Sequence, residues 1–248
     1  MRILIIFAIL APCLLSCAAK KPEQFSNDQT LYQYALKLFE NHDYAEAITF
    51  FESLRNRFPQ SPFLLDSELK IADAHFEKGE YAEAEVSYQT FRSLHPTNIK
   101  IPYVVLRLAI CHFKRIPRGI DRDQTHTEKA IAIFEELTLR WPNSSESKEA
   151  RPLLLKCRRA LGEREMYVAN FYLKNRQYNA AIQRLANLRE NMDFHELKAE
   201  ATYKLGYAHL KMDNVQQAKE ILSELLNNPS AKEFHARART LLKRAGTM

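Results

Sequence analysis

The chain has 248 residues, is 46% apolar, carries a net charge of +6 and holds only 5 glycines. That length can bury a sizeable core, as one domain or as an extended array. So few glycines exclude glycine-rich phosphate loops and dinucleotide-binding turns, and they argue against a fold built from tight hairpins. Helical periodicity runs through nearly the whole sequence, and no alternating strand pattern of useful length occurs, so an all-α fold is predicted.

The first sixteen residues read as a separate object. Arg2 is their only charge, and 3–15 is an apolar run, too short for a spanning helix of roughly 20 residues. A charged start, a short greasy middle and the small residue Ser16 describe a secretory signal, 1–16. Leu14, Ser16 and Cys17 together resemble the lipobox of bacterial lipoproteins. The resemblance implies cleavage before Cys17, a diacylglycerol on its thiol and an acyl chain on its new amine, with no other cofactor. Two or more acyl chains, at about 0.8 kcal/mol per buried methylene, anchor a protein effectively permanently. Residue 18 is Ala, not the Asp that usually retains enteric-type lipoproteins at the inner membrane, which points to the periplasmic face of the outer membrane. Loss of Arg2 with the signal lowers the net charge to +5, suited to acidic partner surfaces or anionic lipid; nucleic acid is no partner outside the cytoplasm. Cys111 and Cys157 then remain. Both lie in apolar helical stretches and are expected to be buried and unpaired, although the periplasm permits a disulfide.

Self-similarity is the strongest signal in the chain. Residues 44–47 (YAEA) recur 37 residues later as 81–84, each followed by an aromatic four residues past the last alanine (Phe51, Tyr88). An apolar residue stands at +7 (Leu54, Phe91) and a proline at +12 (Pro59, Pro96). The same frame returns as Ala130, Phe134, Leu137 and Pro142, then as Ala181, Leu185 and Leu188, then as Ala218, Leu222 and Leu225. This matches the tetratricopeptide pattern of antiparallel helix pairs. Alanine fits where two helices cross closely, the aromatic lies one turn along the same face, and proline ends the second helix. Ser61 and Ser144, two residues past their prolines, are placed to cap the next helix.

First helices carry their own register: Ala35, Ala72, Ala109, Ala169 and Gly206 at the small position, then Leu38, His75, His112, Tyr172 and His209 three residues on. Three histidines sharing one repeat position are spread along an array, so no shared metal site is expected. With no His-Glu-x-x-His, Cys-x-x-Cys or nucleophile elbow, no catalysis is expected either.

The predicted architecture is a superhelical array of five tetratricopeptide-like pairs, at about 28–61, 65–98, 102–143, 162–194 and 199–230, with a basic C-terminal capping helix over 231–244. Residues 17–27 form a lipidated tether, 28–143 the N-terminal repeats, and 144–248 a linking helix (146–161), the last two repeats and the cap. Pro152 should begin or kink a helix within that link. Repeat three is nine residues longer than the rest. Its insertion, 115–124, carries Arg115, Arg118 and Arg122 with Asp121 and Asp123, expected to pair with one another, before Thr125 and Glu128 open a capping box. Its carboxylate pair lacks the nucleophile and pocket that catalysis needs.

The lipobox, five such repeats and the closing helix, with residues 76–81 (FEKGEY), 91–96 (FRSLHP), Ile116-Pro117-Arg118, residues 121–124 (DRDQ) and 171–174 (FYLK), make the chain resemble the BamD family of outer-membrane β-barrel assembly lipoproteins. The likeness covers essentially the full length, and the charged insertion is its most specific element. It implies that the N-terminal repeats contact the targeting strands of unfolded outer-membrane proteins. It also implies that the C-terminal repeats dock on the barrel-forming, BamA-like subunit, with accessory lipoproteins attached. The alternative is another periplasmic tetratricopeptide lipoprotein, a pilotin or a cell-division coordinator.

In such arrays first helices line the concave side. Phe39, Phe76, Phe113, Leu173 and Leu210 form either an apolar row for a bound segment or ordinary packing between repeats. Tyr32, Asp73, Tyr103 and Arg107 are the polar-tipped groove candidates, Arg107 as a cation for a terminal carboxylate. Arg184 and Arg189 are candidate partner-docking cations, and Arg118, Asp121, Arg122 and Asp123 shape the structured insertion. Cys17→Ala is expected to release the protein into the soluble periplasm. Fractionation checks this, and a variant that stays with the membrane refutes the anchor.

Overall fold

The computed structural model describes residues 20–191 and 193–246; the signal and Cys17 lie outside the described residues. The described residues are helical almost throughout, without strands, and fall into two units, one up to Ala74 and one from His75. In chain order the helices are α1 (Asp28–Glu40), α2 (Tyr44–Arg57), α3 (Leu64–Glu77), α4 (Tyr81–Leu94), α5 (Ile101–Lys114) and α6 (Thr125–Arg140). Then follow α7 (Ser145–Lys174), α8 (Tyr178–Asn191), α9 (His195–Lys211), α10 (Val215–Asn227) and the closing α11 (Lys232–Gly246).

In the first unit, Leu31, Ala35 and Leu38 of α1 interlock with Ala47, Phe50, Phe51 and Leu54 of α2 and with Ile71. Asn27 caps α1 by accepting the Thr30 N–H at 2.9 Å. The Arg57 guanidinium donates to the carbonyls of Pro22 (2.6 Å) and Phe25 (2.8 Å), tying the segment before α1 to the end of α2.

In the second unit each helix packs on its neighbour in sequence from α4 to α11. Throughout the chain the repeated positions are the core: Ala47, Ala84, Ala130, Ala181 and Ala218 are all fully buried, as are Phe51, Tyr88, Phe134, Leu185 and Leu222. Cys111 and Cys157 are buried and unpaired, and burial pushes their thiols up to about 12 and about 11, so both are inert at neutral pH.

The turns inside the pairs share one device. His42, Gly79, Arg176 and Asp213 take left-handed backbone conformations with φ of 65°, 80°, 59° and 58°. The following N–H reaches back to the carbonyl of Leu38, His75, Tyr172 or His209 at 2.9–3.0 Å, and the left-handed residue's own N–H to Phe39, Phe76, Leu173 or Leu210. This Schellman closure satisfies the last carbonyls of each first helix and reverses the chain in a few residues. Repeat three lacks it, because residues 115–124 replace the tight turn.

Three expectations are corrected. The link and the first helix of repeat four are not separate: α7 runs unbroken over 30 residues, with Pro152 inside it. Pro152 and Lys148 are both exposed, so the carbonyl of Lys148 that loses its helical donor can be satisfied by water. No capping box opens α6. Gln124 stands at its N-cap without a side-chain bond to the helix backbone, Thr125 is already helical, and Asp123 accepts from the Thr125 Oγ1 at 2.9 Å. Finally, among the described residues no Asp–Arg ion pair forms within 115–124. A turn with the Arg122 N–H on the Gly119 carbonyl (3.2 Å) and Gln124 Nε2 on the Arg122 carbonyl (3.1 Å) shapes the loop, and Arg118, Asp121 and Arg122 are exposed. Ser144 does cap α7, accepting the Ser147 N–H at 3.1 Å.

Gly206 tests the close crossing of α9 and α10, because a Cβ there would stand 2.6 Å from Leu222 Cγ. Gly206→Ala is expected to cost about 1–3 kcal/mol in denaturant unfolding despite alanine's better helix propensity. Gly79→Ala meets no atom within 4 Å, and its expected cost of about 1–2 kcal/mol is backbone strain alone.

Candidate peptide-binding face

The first helices of the early pairs place the groove candidates in two clusters, one in each unit. In the first unit, Tyr32 on α1 stacks on Phe63, with ring centroids 4.6 Å apart, and its hydroxyl donates to the Asp66 carboxylate. Burial, then that carboxylate, pushes the phenol up from its ordinary value, so Tyr32 stays a neutral donor. Lys70 lies with Nζ 4.6 Å from the Phe39 ring centroid and 3.8 Å from Asp73. Asp73 is only 7% exposed, so its carboxylate is a buried partner of Lys70 before it is a contact for anything arriving from outside.

In the second unit, Arg107 on α5 is the centre. Its guanidinium sits 3.5 Å from the Phe76 ring centroid, donates to Glu77 at 2.7 Å and to the Tyr88 hydroxyl at 3.3 Å, and faces the Tyr103 ring at 5.8 Å. Burial opposes its charge, but Tyr88, Tyr103 and Glu77 outweigh it and hold the group protonated. The expected free cation is thus an engaged one. A carboxylate approaching Arg107 must share it with Glu77. What the cluster offers is an aromatic and guanidinium stack with polar edges, suited to an extended segment with alternating side chains.

The row of large residues is mainly packing. Phe76 and Leu210 are buried, while Phe39, Phe113 and Leu173 are half-buried. Phe39 and Phe76 each meet the tyrosine that opens the next helix, Tyr44 and Tyr81, edge-on at 5.3 Å.

Both docking candidates are also paired. Arg184 on α8 donates to Glu165 on α7 at 2.8 Å, and Arg189 on α8 to Glu224 on α10 at 2.5 Å. Each remains partly exposed, and an exposed pair of this kind contributes little to stability, so exchange with a partner's carboxylate is inexpensive. Sequence reading missed Arg158. It bridges Glu135 on α6 (2.8 Å) and Asp193 before α9 (3.1 Å) beside an open cavity of 270 Å³ walled by Ile131, Leu161 and Phe194. The three charges are 23 and 35 residues apart, and no spacing rule links them. Among the described residues no group of three or more His, Cys, Asp or Glu is placed to hold a metal ion.

Comparison with known proteins places the repeat region in a family. The profile of the family described as YfiO, outer membrane lipoprotein, matches residues 25–220. The chain is 29% identical over 216 residues to the outer membrane protein assembly factor BamD of Caulobacter vibrioides, covering 85% of this chain and 70% of that one. It is 26% identical to the protein of the same name from Rickettsia prowazekii over 247 residues, 98% of this chain and 97% of the other. Among solved structures, the TPR domain of P58(IPK) aligns with a TM-score of 0.45 at 14% identity, covering 88% of this chain and 66% of that one. A thermophilic TPR protein of Thermus thermophilus aligns with a TM-score of 0.39 at 16% identity, covering 87% and 99%.

Proposed function

The chain belongs to the YfiO family of outer membrane lipoproteins, and we propose that it is a non-catalytic scaffold subunit in the assembly of outer-membrane proteins. The observation that carries this reading is the family match across residues 25–220, with relatives along most of the chain named as assembly factors. A scaffold needs rigid helices, few titratable groups aimed at a common point, and side chains ready to exchange partners. The buried alanine crossings and half-exposed ion pairs supply these qualities.

In this proposal the Tyr32–Phe39–Asp73 and Phe76–Tyr103–Arg107 clusters contact targeting strands of unfolded outer-membrane proteins. A strand ending in an aromatic residue and a carboxylate gains stacking from Tyr32 or Tyr103 and a shared charge from Arg107. Arg184 and Arg189 dock the barrel-forming, BamA-like subunit by exchanging Glu165 and Glu224 for its carboxylates. Loop 115–124, with Arg118, Asp121 and Arg122 exposed, is a further contact surface for accessory lipoproteins. Lipid on Cys17 holds the protein at the periplasmic face of the outer membrane. Among the described residues no helix is long and apolar enough to cross a membrane.

The test is co-purification from outer membranes in mild detergent, where the barrel-forming subunit is expected to accompany the protein. Arg184→Glu with Arg189→Glu should lower its recovery by about threefold to tenfold; unchanged recovery removes both residues from the proposal. Tyr32→Ala with Tyr103→Ala should lower cross-linking to a peptide copying a barrel protein's last strand by about fivefold. Equal cross-linking argues against both clusters as binding surfaces.

A further inference from the structure

Two histidines from different helices meet at the root of the inserted loop. His112, near the end of α5, is 3% exposed, and its Nδ1 stands 3.2 Å from Nδ1 of His126 in the first turn of α6. The ring centroids are 5.4 Å apart with an interplanar angle of 31°, so the two nitrogens face each other nearly in line. On its other side, His112 Nε2 lies 3.4 Å from Glu85 on α4, and Glu85 also accepts from Arg115 at 2.5 Å. Both ends of loop 115–124 are therefore fastened to one knot of charge: Arg115 at its start through Glu85, and His126 just past its end through His112.

The proton arithmetic of this contact is restrictive. Two nitrogens at 3.2 Å can share one hydrogen, with one ring donating and the other accepting. A His112 N–H directed at Glu85 from Nε2 leaves its Nδ1 as the acceptor, so His126 is the donor. A first added proton goes to the outer nitrogen of His126 and leaves the contact intact. A second must go to Nδ1 of His112, which sets N–H against N–H and cation against cation. The charged groups around the pair are Glu85 from α4, Arg115 at the end of α5, Asp123 from the loop and Lys129 from α6. Glu85 and Asp123 favour protonation, whereas Arg115 and Lys129 oppose it.

We propose that the His112–His126 contact is a proton-operated latch: it holds loop 115–124 closed at neutral pH and opens when the second imidazole is protonated. Burial chiefly, then neighbouring positive charge, holds both histidines below their ordinary value of 6.5. The unfolded or unlatched state thus binds protons before the latched state does. Latch stability is complete above about pH 6.5 and is lost progressively as the pH falls below it. Opening frees the first turn of α6 and with it the loop whose exposed charges of both signs meet solvent. The latch depends only on this geometry, not on the assembly role.

Hydrogen exchange of the full-length protein across 115–128, corrected for the intrinsic pH dependence of exchange, is the test. Between about pH 7.5 and about pH 5, exchange in this segment should rise about tenfold relative to the rest of the chain. His126→Gln offers a carbonyl to a protonated His112, so its step should shrink to less than about threefold with protection retained at low pH. His209→Gln, which removes another buried histidine held neutral by desolvation, should keep the full step. Three outcomes overturn the latch: no step in the wild type, a full step in His126→Gln (which assigns it to Glu85 and Arg115), or loss of the step in His209→Gln. Zinc added at neutral pH is a fourth measurement. Protection that rises with zinc and is reversed by chelator would mean that the two nitrogens serve as metal ligands, which also overturns the latch.

Discussion

Everything in this fold depends on how closely two helices approach where they cross. Five alanines on the second helices are fully buried, and the matching first-helix position holds Ala35, Ala72, Ala109, Ala169 or Gly206. With no side chain beyond Cβ at the contact, backbones come near enough for the residue one turn on to fill the space between pairs. At Gly206 even a Cβ is too much, because Leu222 already occupies its place. The large residue and the small one are thus one device: Phe51, Tyr88, Phe134, Leu185 and Leu222 can be buried completely because their neighbours are minimal. From α4 to α11 each helix buries its apolar stripe against the next, and within that unit stability is distributed along the chain and not held in one central core.

That constraint also fixes what the surface can do. A helix pair closed by a Schellman turn has almost no freedom at its tip, so four of the five pairs present short, stiff ends. The third pair departs from the rule. Its ten-residue loop is pinned at one end by the Arg115–Glu85 ion pair and at the other by the His112–His126 contact, while its own aspartates and arginines form no ion pairs with one another among the described residues. Stiff helix pairs with one charged, tethered loop suit the proposed scaffold role, in which several polypeptides are held at once.

Charge is engaged almost everywhere it was expected to be free. Arg107 is shared among Phe76, Glu77 and Tyr88, Arg184 is held by Glu165, and Arg189 by Glu224. Partner binding on such a surface exchanges one salt bridge for another, which yields selectivity and fast association more than raw affinity. In the proposed peptide contact, the aromatic partners of Arg107 and Tyr32 supply the non-exchanging part, since stacked rings need no counter-charge to be displaced.

The sequence by itself determined the helical class, the 37-residue frame, the buried positions and the place of the insertion. These are all local or periodic properties: a residue's burial follows from its place in the repeat, whatever lies in the neighbouring pair. It did not reveal that α7 passes through Pro152, because an exposed proline in a helix costs less than a buried one and the pattern cannot say which face meets water. Nor did it disclose the contacts of Arg107, Arg158 or the His112–His126 pair. His112 was legible as a register position and His126 as part of a helix start. Only the antiparallel return of α6 along α5 brings their nitrogens to 3.2 Å, and that distance depends on side-chain packing across the pair, which carries no period for a sequence to display.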